Sequence, residues 1–286
     1  MKIVRTVADL RTAVAAERAA GRRIAVVPTM GAFHDGHLAL MDRAGADEHA
    51  VVVTLFVNPA QFAPTDDLSR YPRDEARDGA LAAEHGAAIL FAPGVDEVYP
   101  PGFATTIEVG GPAEGLEGAT RPGHFAGVAT VVAKLLLAVR PHRAVFGQKD
   151  AQQVAVIRRL MRDLHLDDIE LVVAPTTREP DGLAMSSRNA YLGPDDRSAA
   201  VALSRGLGAA YDAARAGELA GPRLEAMVAD AVSSDPRCAL DYAAMVDPET
   251  FARLSHRDGP ALLAVAARVG PARLIDNILL PPPPTE

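Results

Sequence analysis

Residues 28–37, PTMGAFHDGH, have the types and spacing with the clearest chemical meaning. They place His34 and His37 directly after the apolar run 24–27, and helical spacing of apolar residues begins at Leu38. A helix N-terminus offers unpaired backbone N–H groups and a positive dipole end, and two imidazoles three residues apart can face one side of its first turn. We therefore expect a strand, a glycine-bearing turn and a helix start that bind a nucleotide phosphate.

The same histidine spacing has two other interpretations. It occurs as a pair of metal ligands or as an ordinary polar helix start, and one short motif matches by chance. Structural zinc takes four ligands, whereas the single cysteine, Cys238, has no cysteine cluster around it. Metal binding is therefore the weaker functional interpretation.

A second segment, FGQKDAQQ at residues 146–153, also follows an apolar run and precedes a helical pattern. Lys149 stands where a cation can meet a polyphosphate, Asp150 suits a ribose hydroxyl or a helix cap, and Gln153 lies one turn further on. By itself, this pattern is more often a surface lysine.

A third segment, MSSRN at residues 185–189, follows Gly182 in a loop. Its two hydroxyls and its guanidinium can hold phosphate oxygens and spread the charge that develops when pyrophosphate leaves. By itself, it is more often a solvated loop.

The elements that must position these segments alternate in the first part of the chain. Helical spacing predicts helices over residues 7–19, after His37, over 74–83 and from 151 through Met161. Apolar runs predict strands over residues 24–27, 51–57, 87–91, 144–146 and 170–173, with a turn at 147–150. This alternation predicts an α/β fold with a Rossmann-like parallel sheet, in which ligands lie beyond the carboxyl ends of the strands. We expect convergence of His34, Asn58, Gln61, Gly147 and Lys149.

The composition changes after Pro175, where alanine-rich helices are predicted over 195–216 and 221–233. Strand-like segments follow at residues 242–246, 261–269 and 274–279. We predict a nucleotide-binding domain over residues 1–176 and a smaller α+β domain over 177–286 that covers the site. The glycine- and proline-rich segment 99–124 is predicted to be a mobile cover, and the tail 281–286 to be extended or disordered.

Composition restricts the class of partner and the compartment. The 286 residues are 49% hydrophobic and 23% charged, which is typical of a globular protein with a large core. The net charge of -8 argues against a nucleic-acid partner. One cysteine forms no intramolecular disulfide, and charges interrupt the first 23 residues, so we expect a cytoplasmic protein.

The most apolar stretch, residues 126–139, predicts a buried helix and no membrane role. Lys134 interrupts it, and it is too short to cross a bilayer comfortably. Lys134 is expected to reach solvent or a ligand. This stretch and residues 51–57 are expected to serve either the core or a subunit interface.

Taken together, the segments resemble the pantothenate synthetase (pantoate–β-alanine ligase) family over nearly the whole chain. The resemblance rests on PTMGAFHDGH, FVNPAQF at 56–62, YPRD at 71–74, RPGHFAGVATVVAKL at 121–135, FGQKDAQQ, DGLAMSSRN at 181–189, DYAAMVD at 241–247 and RLIDN at 273–277. The family resembles class I aminoacyl-tRNA synthetases in its HxGH nucleotide-binding domain. Phe33 stands where leucine is common, and Gln148 where several members carry a charge.

The resemblance implies an ATP-dependent condensation of pantoate with β-alanine through a pantoyl adenylate, with release of AMP and pyrophosphate. This reaction is a step of pantothenate and coenzyme A biosynthesis. ATP is a substrate, Mg²⁺ is held mainly by the ATP phosphates, and the protein is a homodimer that binds neither nucleic acid nor membrane.

The resemblance also implies residue roles. The catalytic residues are His34, His37, Lys149 and Arg188. The ATP-binding residues are Met30, Gly31, Ala32, Phe33, His34, Asp35, Gly36, His37, Gly147, Gln148, Lys149, Asp150, Thr177, Met185, Ser186, Ser187 and Arg188. Gln61 and Gln153 contact pantoate, and Gln61 and Arg121 contact β-alanine. For Tyr71 and His124 no role is implied.

Two other functions stay open at this point. One is a different HxGH nucleotidylyltransferase, which would transfer the adenylyl group to a phosphorylated acceptor. The other is a non-catalytic nucleotide sensor, although the presence of His37, Lys149 and Arg188 favours an enzyme.

Overall fold

The computed structural model describes residues 1–62, Leu68 and residues 71–283. The chain divides into two compact units. The first consists of Met1–Gly147 and Val156–Ala174, and the second of Gln148–Ala155 and Pro175–Glu286. The last three residues of the predicted extended tail, 284–286, lie outside the described residues.

The first unit contains a six-stranded parallel sheet with the strand order β1-β4-β3-β2-β5-β6. Its strands are β1 Lys2–Val4, β2 Ile24–Thr29, β3 Ala50–Leu55, β4 Ala87–Phe91, β5 Arg143–Gly147 and β6 Glu170–Ala174. Its helices are α1 Val7–Ala19, α2 Asp35–Ala44, α3 Glu75–Glu84, α4 Val95–Val98, α5 Glu117–Thr120 and α6 His124–Val139. Helix α7, Ala151–Asp163, has its first five residues in the second unit. The predicted α/β parallel-sheet fold is confirmed.

Sequence patterns located these elements well, with two corrections. Helix α1 and strand β4 have the predicted bounds. The helix predicted after His37 instead begins at Asp35, because His34 caps it and His37 lies in its first turn. The strand predicted over 51–57 ends at Leu55, since the chain turns at Asn58 into a 3₁₀ turn at Pro59–Gln61.

The two apolar stretches with open roles belong to the core of the first unit. Val51, Val52 and Val53 are buried in β3, between two neighbouring strands. Helix α6 is buried along most of its length, although Leu137 is half exposed. The Lys134 ammonium lies 4.3 Å from the ring centroid of Phe103 and 5.7 Å from that of Tyr99, so its contacts are cation–π contacts.

The second unit contains an antiparallel three-stranded sheet packed with two helices. The elements are α8 Pro194–Arg215, α9 Gly221–Ser233, β7 Cys238–Val246, β8 Leu262–Val269 and β9 Ala272–Leu279. Strand β7 begins four residues before the predicted start at Tyr242, because a register irregularity between Leu240 and Tyr242 breaks the alternation. Cys238 is buried, and burial raises the pKa of its thiol.

One arginine of this unit is buried against backbone carbonyl groups. Arg257 is 1% exposed and donates to the carbonyl oxygens of Ala214 at 2.8 Å and Glu218 at 3.4 Å, and to that of Pro281. Burial lowers its pKa. Arg257 thus joins the end of α8 to the segment after β9.

Within the described residues, none of the helices combines the length and apolarity needed to span a membrane.

Candidate active site

The two histidines of the HxGH stretch face each other at the start of α2. The backbone of His34 is extended, and its Nδ1 accepts a hydrogen bond from the Gly36 N–H at 3.2 Å, as an N-cap side chain does. Because Nδ1 accepts, the proton of the neutral imidazole is on Nε2, which is therefore a donor. The ring centroids of His34 and His37 are 4.2 Å apart. The pair can present donors to one anion.

The loop before His34 is held by the buried carboxylate of Asp78 on α3. Its two oxygens accept from the N–H groups of Ala32 at 2.7 Å and Phe33 at 2.9 Å. Gly31 and Ala32 both have positive φ, and a Cβ at Gly31 would lie 3.0 Å from the Asp78 carboxylate. The loop can approach Asp78 this closely because Gly31 has no side chain.

These contacts correct one expectation about the helix start. Of the helix-start N–H groups predicted to be unpaired, those of Gly36 and His37 already have acceptors within the protein. In the preceding loop, the N–H groups of Ala32 and Phe33 are also paired. A capping side chain and a buried carboxylate accept hydrogen bonds from amides that could otherwise donate to a ligand. The helix-start amides of Gly36 and His37 are therefore already paired within the protein.

Gln61 is part of a buried polar cluster beside this loop. Its Oε1 accepts from Asn58 Nδ2 at 3.1 Å, and its Nε2 lies 3.1 Å from the Met30 sulfur. The Tyr99 hydroxyl donates to Asn58 Oδ1 at 2.7 Å, and burial raises the pKa of Tyr99 to about 12. Tyr99 therefore stays a protonated donor at neutral pH and orients the Asn58 amide.

His124 and Arg121 contact the backbone of the same turn. His124 Nδ1 lies 2.8 Å from the Gln61 carbonyl oxygen, which can only accept, so Nδ1 carries the proton. His124 Nε2 then accepts from Arg121 Nη1 at 3.1 Å. These bonds fix the neutral imidazole of His124 and place the guanidinium of Arg121 next to Gln61. Contact of Arg121 with a β-alanine carboxylate stays a prediction, as does mobility of residues 99–124.

In the second unit, the predicted phosphate residues Lys149, Ser186 and Arg188 line one pocket, whereas Ser187 is not among its lining residues. The pocket is lined by Lys149, Ser186, Arg188, Asn189, Arg273 and Asp276, together with apolar side chains. The side chain of Lys149 is only 17% exposed, and its ammonium lies 3.4 Å from Asp150. Ser186 Oγ accepts from the Arg188 N–H at 3.3 Å and caps the 3₁₀ turn Ser187–Tyr191. Three cationic side chains, Lys149, Arg188 and Arg273, and the Ser186 hydroxyl thus belong to the lining of this pocket.

The loop that carries Ser186 is fixed by Asn189, the last residue of the MSSRN segment, and by side chains that sequence patterns did not indicate. Asn189 Nδ2 donates to the Ala184 carbonyl oxygen and to Glu179, each at 3.1 Å. Arg197 of α8 lies 3.0 Å from the same carboxylate of Glu179. The Met185 N–H donates to the Thr177 carbonyl oxygen at 2.9 Å. The serine loop is therefore tied at three points.

The predicted site residues fall into two groups. The first unit holds residues 30–37, Gln61, Arg121 and Gly147, and the second holds Gln148, Lys149, Asp150, Gln153, Thr177 and residues 185–188. Each unit brings its own members together, except that Gly147 ends β5 and Gln153 lies on α7. Convergence of the two groups stays a prediction. Asp78, Tyr99 and Glu179 were missed because no motif distinguishes a lone polar residue on a helix or in a loop.

A metal site made by the protein alone is not found in the described part of the chain. No group of three or more His, Cys, Asp or Glu side chains there has the arrangement to hold a metal ion.

A parallel sheet in which the helix after β2 begins at an HxGH histidine pair defines the HxGH class of nucleotide-binding α/β proteins. Within that class, the chain belongs to the pantoate-beta-alanine ligase family, whose model matches residues 2–279.

Relatives and solved structures agree with this membership. The chain is 52% identical to a pantothenate synthetase of Rhizorhabdus wittichii, over 99% of this chain and 100% of the relative. A crystal structure of pantothenate synthetase from Thermus thermophilus has a TM-score of 0.92 at 48% identity, with coverage of 98% of this chain and 100% of that one. A Francisella tularensis pantoate-beta-alanine ligase, complexed with beta-gamma ATP and beta-alanine, has a TM-score of 0.76 at 32% identity, covering 98% and 97%.

Proposed function

We propose that the chain is a pantothenate synthetase, an AMP-forming ligase that condenses pantoate with β-alanine at the expense of ATP. The family match over residues 2–279 is the observation that carries the proposal. The facing histidines of α2 and the cationic pocket around Lys149 are the groups that such a reaction needs. The Francisella relative, which holds a form of ATP and β-alanine, supports the choice of substrates.

In the first step, a carboxylate oxygen of pantoate attacks the α-phosphorus of ATP. A new bond forms between the carboxylate oxygen and the α-phosphorus. The bond from that phosphorus to the oxygen that bridges the α- and β-phosphates breaks, and pyrophosphate leaves with the electron pair. A carboxylate is already a nucleophile, so the protein aligns the reactants and stabilises charge instead of supplying a strong base. His34 Nε2 and His37 serve the α-phosphate, with His37 the proton donor, and Lys149, Ser186, Ser187 and Arg188 serve the departing pyrophosphate.

In the second step, the neutral amine of β-alanine attacks the acyl carbon of the adenylate. The amide bond forms, the bond between the acyl carbon and the phosphate oxygen breaks, AMP leaves with that electron pair, and the amine releases a proton to solvent. We assign Gln61 and Gln153 to pantoate, because neutral amides suit its hydroxyl groups, and Gln61 and Arg121 to β-alanine. The cluster of Asn58, Tyr99 and His124 preorganises Gln61 for this role.

The remaining predicted site residues are assigned to the adenosine and the triphosphate of ATP. Residues 30–33, Asp35, Gly36, Gly147, Gln148, Asp150, Thr177 and Met185 are proposed to surround the nucleotide. Because four of the amides around His34 are already bonded, we assign contacts in that loop to side chains more than to backbone N–H groups.

Mg²⁺ fits this proposal as an ion carried by ATP. The described residues provide no acidic cluster for it, so phosphate oxygens and water are its proposed ligands. When bound, Mg²⁺ neutralises phosphate charge and favours departure of pyrophosphate. We further propose that the enzyme is a cytoplasmic homodimer, for which the mass in solution is the direct test.

The proposal is tested by incubating the purified protein with ATP and Mg²⁺ and adding pantoate and β-alanine, first separately and then together. Pantoate alone should support exchange of labelled pyrophosphate into ATP, and AMP should accumulate only with both substrates. Transfer of the adenylyl group to a phosphorylated acceptor would instead identify another nucleotidylyltransferase. ATP binding with neither exchange nor transfer would identify a sensor and overturn the proposal.

A further inference from the structure

We propose that Asn277, on β9, is a positioning residue that sets the backbone of the turn Gln148–Lys149 and thereby the place where the Lys149 ammonium meets the triphosphate. The inference rests on the proposed function, which assigns Lys149 to phosphate. It adds a residue that no pattern of chemistry-bearing side chains indicated, although Asn277 lies in the stretch RLIDN.

The Asn277 amide is joined to the turn by three hydrogen bonds. Its Nδ2 donates to the carbonyl oxygen of Gln148 at 3.0 Å and to that of Lys149 at 2.9 Å. Its Oδ1 accepts from the Gln148 side-chain Nε2 at 3.0 Å. Both amide hydrogens are therefore used on successive peptide carbonyls while the amide oxygen accepts, a combination that an ammonium or guanidinium group cannot make because it has no acceptor.

Asn277 is itself held rigidly. It is 5% exposed, and its backbone N–H donates to Asp276 Oδ1 at 2.7 Å. The Asp276 carboxylate is bound by two nitrogens of the Arg178 guanidinium at 2.6 and 3.0 Å. Strand β9 is also paired along its length with β8. The rigid Asn277 amide thus holds the turn in place. Without it, the turn would depend on the hydrogen bonds of its own short 3₁₀ segment.

The position of this turn matters because of what Lys149 is proposed to do. Lysine carries a point charge on a flexible stem, so its backbone decides which phosphate oxygen the ammonium can reach. The Lys149 side chain lines the same pocket as Ser186 and Arg188. Misplacing such a group by about 1 Å costs on the order of a hundredfold in rate.

A double-mutant cycle separates positioning of Lys149 from general stabilisation. Asn277→Ala should weaken ATP binding and slow pyrophosphate exchange, each by about tenfold, as expected for loss of charge placement. In a Lys149→Ala background the same change should have little further effect, because residues that act as a unit are not additive. Equal losses in both backgrounds would overturn the proposal.

Ile278→Ala is the matched control for stability. Ile278 is adjacent to Asn277 and packs against the core of the second unit. It should lower the melting temperature without changing ATP affinity. If Ile278→Ala weakens ATP binding as much as Asn277→Ala, the effect is one of stability and the positioning role is wrong.

Lysine labelling gives a readout that does not depend on activity. The chain has only three lysines, Lys2, Lys134 and Lys149. With an amine-reactive acylating reagent and no ATP, Asn277→Ala should raise the labelling rate of Lys149 while Lys2 stays constant as the internal reference. An unchanged rate for Lys149 would show that Asn277 does not hold this turn.

Two further measurements keep the test decisive. If Asn277→Ala does not fold, Gln148→Leu can be used, because it removes the hydrogen bond from Gln148 Nε2 to Asn277 Oδ1. This variant should raise the labelling rate of Lys149 by a smaller factor. If the wild-type protein binds ATP but shows no pantoate-dependent exchange, the proposed function fails. In that case the double-mutant cycle of Asn277→Ala and Lys149→Ala, measured by ATP affinity, still tests the role of Asn277.

Discussion

The buried carboxylate of Asp78 accepts the N–H of Phe33 at 2.9 Å and so joins α3 to the loop that leads into the first histidine. The same carboxylate holds Ala32, whose φ of 53° is in the left-handed region. An acid next to a predicted anion site costs electrostatic free energy, which two charge-assisted hydrogen bonds and Arg77 at 3.7 Å offset. Asp78 thus orders the loop through its two backbone hydrogen bonds.

Asp78→Asn should lower kcat by at least about tenfold, because one amide face would point a donor at a backbone N–H and displace the loop. Steady-state kinetics and the melting temperature measure the effect. Asp96→Asn, at an exposed position of α4, is the control and should leave both unchanged. A wild-type kcat for Asp78→Asn would show that loop order does not limit the reaction.

The contact between α6 and the 3₁₀ turn Pro59–Gln61 predicts a strong effect of Gly127→Ala. A Cβ at Gly127 would overlap the Ala60 carbonyl group and lie 2.7 Å from the Gln61 nitrogen. We expect a loss of about 1–3 kcal/mol in the free energy of unfolding, and a raised KM for pantoate. Gly208→Ala in α8 has open space and should stabilise the protein by about 0.5–1 kcal/mol. Equal stability of the two variants would contradict the packing argument.

His37→Ala and Lys149→Ala should each reduce turnover by about a hundredfold or more, since removal of one donor in a dry site costs on the order of 3 kcal/mol of barrier. Single-turnover formation of the adenylate, with pantoate and ATP only, measures this loss in the first step. Lys134→Met is the control variant, because the Lys134 ammonium contacts aromatic rings and not the predicted phosphate residues. Near-normal adenylate formation by either site variant would remove that residue from the mechanism.

Acid should destabilise the protein through His142. Burial, with the positive charges of Arg23, Arg18 and His49, lowers the pKa of His142. The unfolded chain therefore binds the proton more readily, and the free energy of unfolding falls as pH drops below about 6.5. In His142→Asn, Oδ1 can still accept the Ile24 N–H that Nδ1 now accepts at 2.9 Å. Urea unfolding at pH 7.5 and 5.5 should show a smaller decline for His142→Asn than for wild type, and an equal decline would exclude His142.

Sequence patterns predicted much of the fold because strongly periodic segments determine their own structure. Helix α1 and strand β4 were located to the residue, since their apolar spacing and flanking residues agree. Strand β3 was extended too far, because the apolar Phe56 and Val57 continue the pattern after the sheet pairing ends. Apolar character reports burial and does not by itself report hydrogen bonding.

The candidate site was predictable only where residue type and spacing carry the chemistry. His34, His37 and Lys149 lie in such segments. The side chains that hold them, Asp78 and Asn277, are distant in sequence from the loops that they order. Such contacts depend on tertiary packing, so local patterns contain no signal for them.

The buried guanidinium of Arg257 sets an upper limit on how much of the C-terminus can be removed. A chain shortened to end at Leu280 would lack the Pro281 carbonyl that Arg257 binds, and would leave a buried cation with a lost acceptor. A deletion confined to residues 284–286 keeps that acceptor. Trimming for crystallisation should therefore keep Pro281, and a purification tag is better joined after this residue than in place of it.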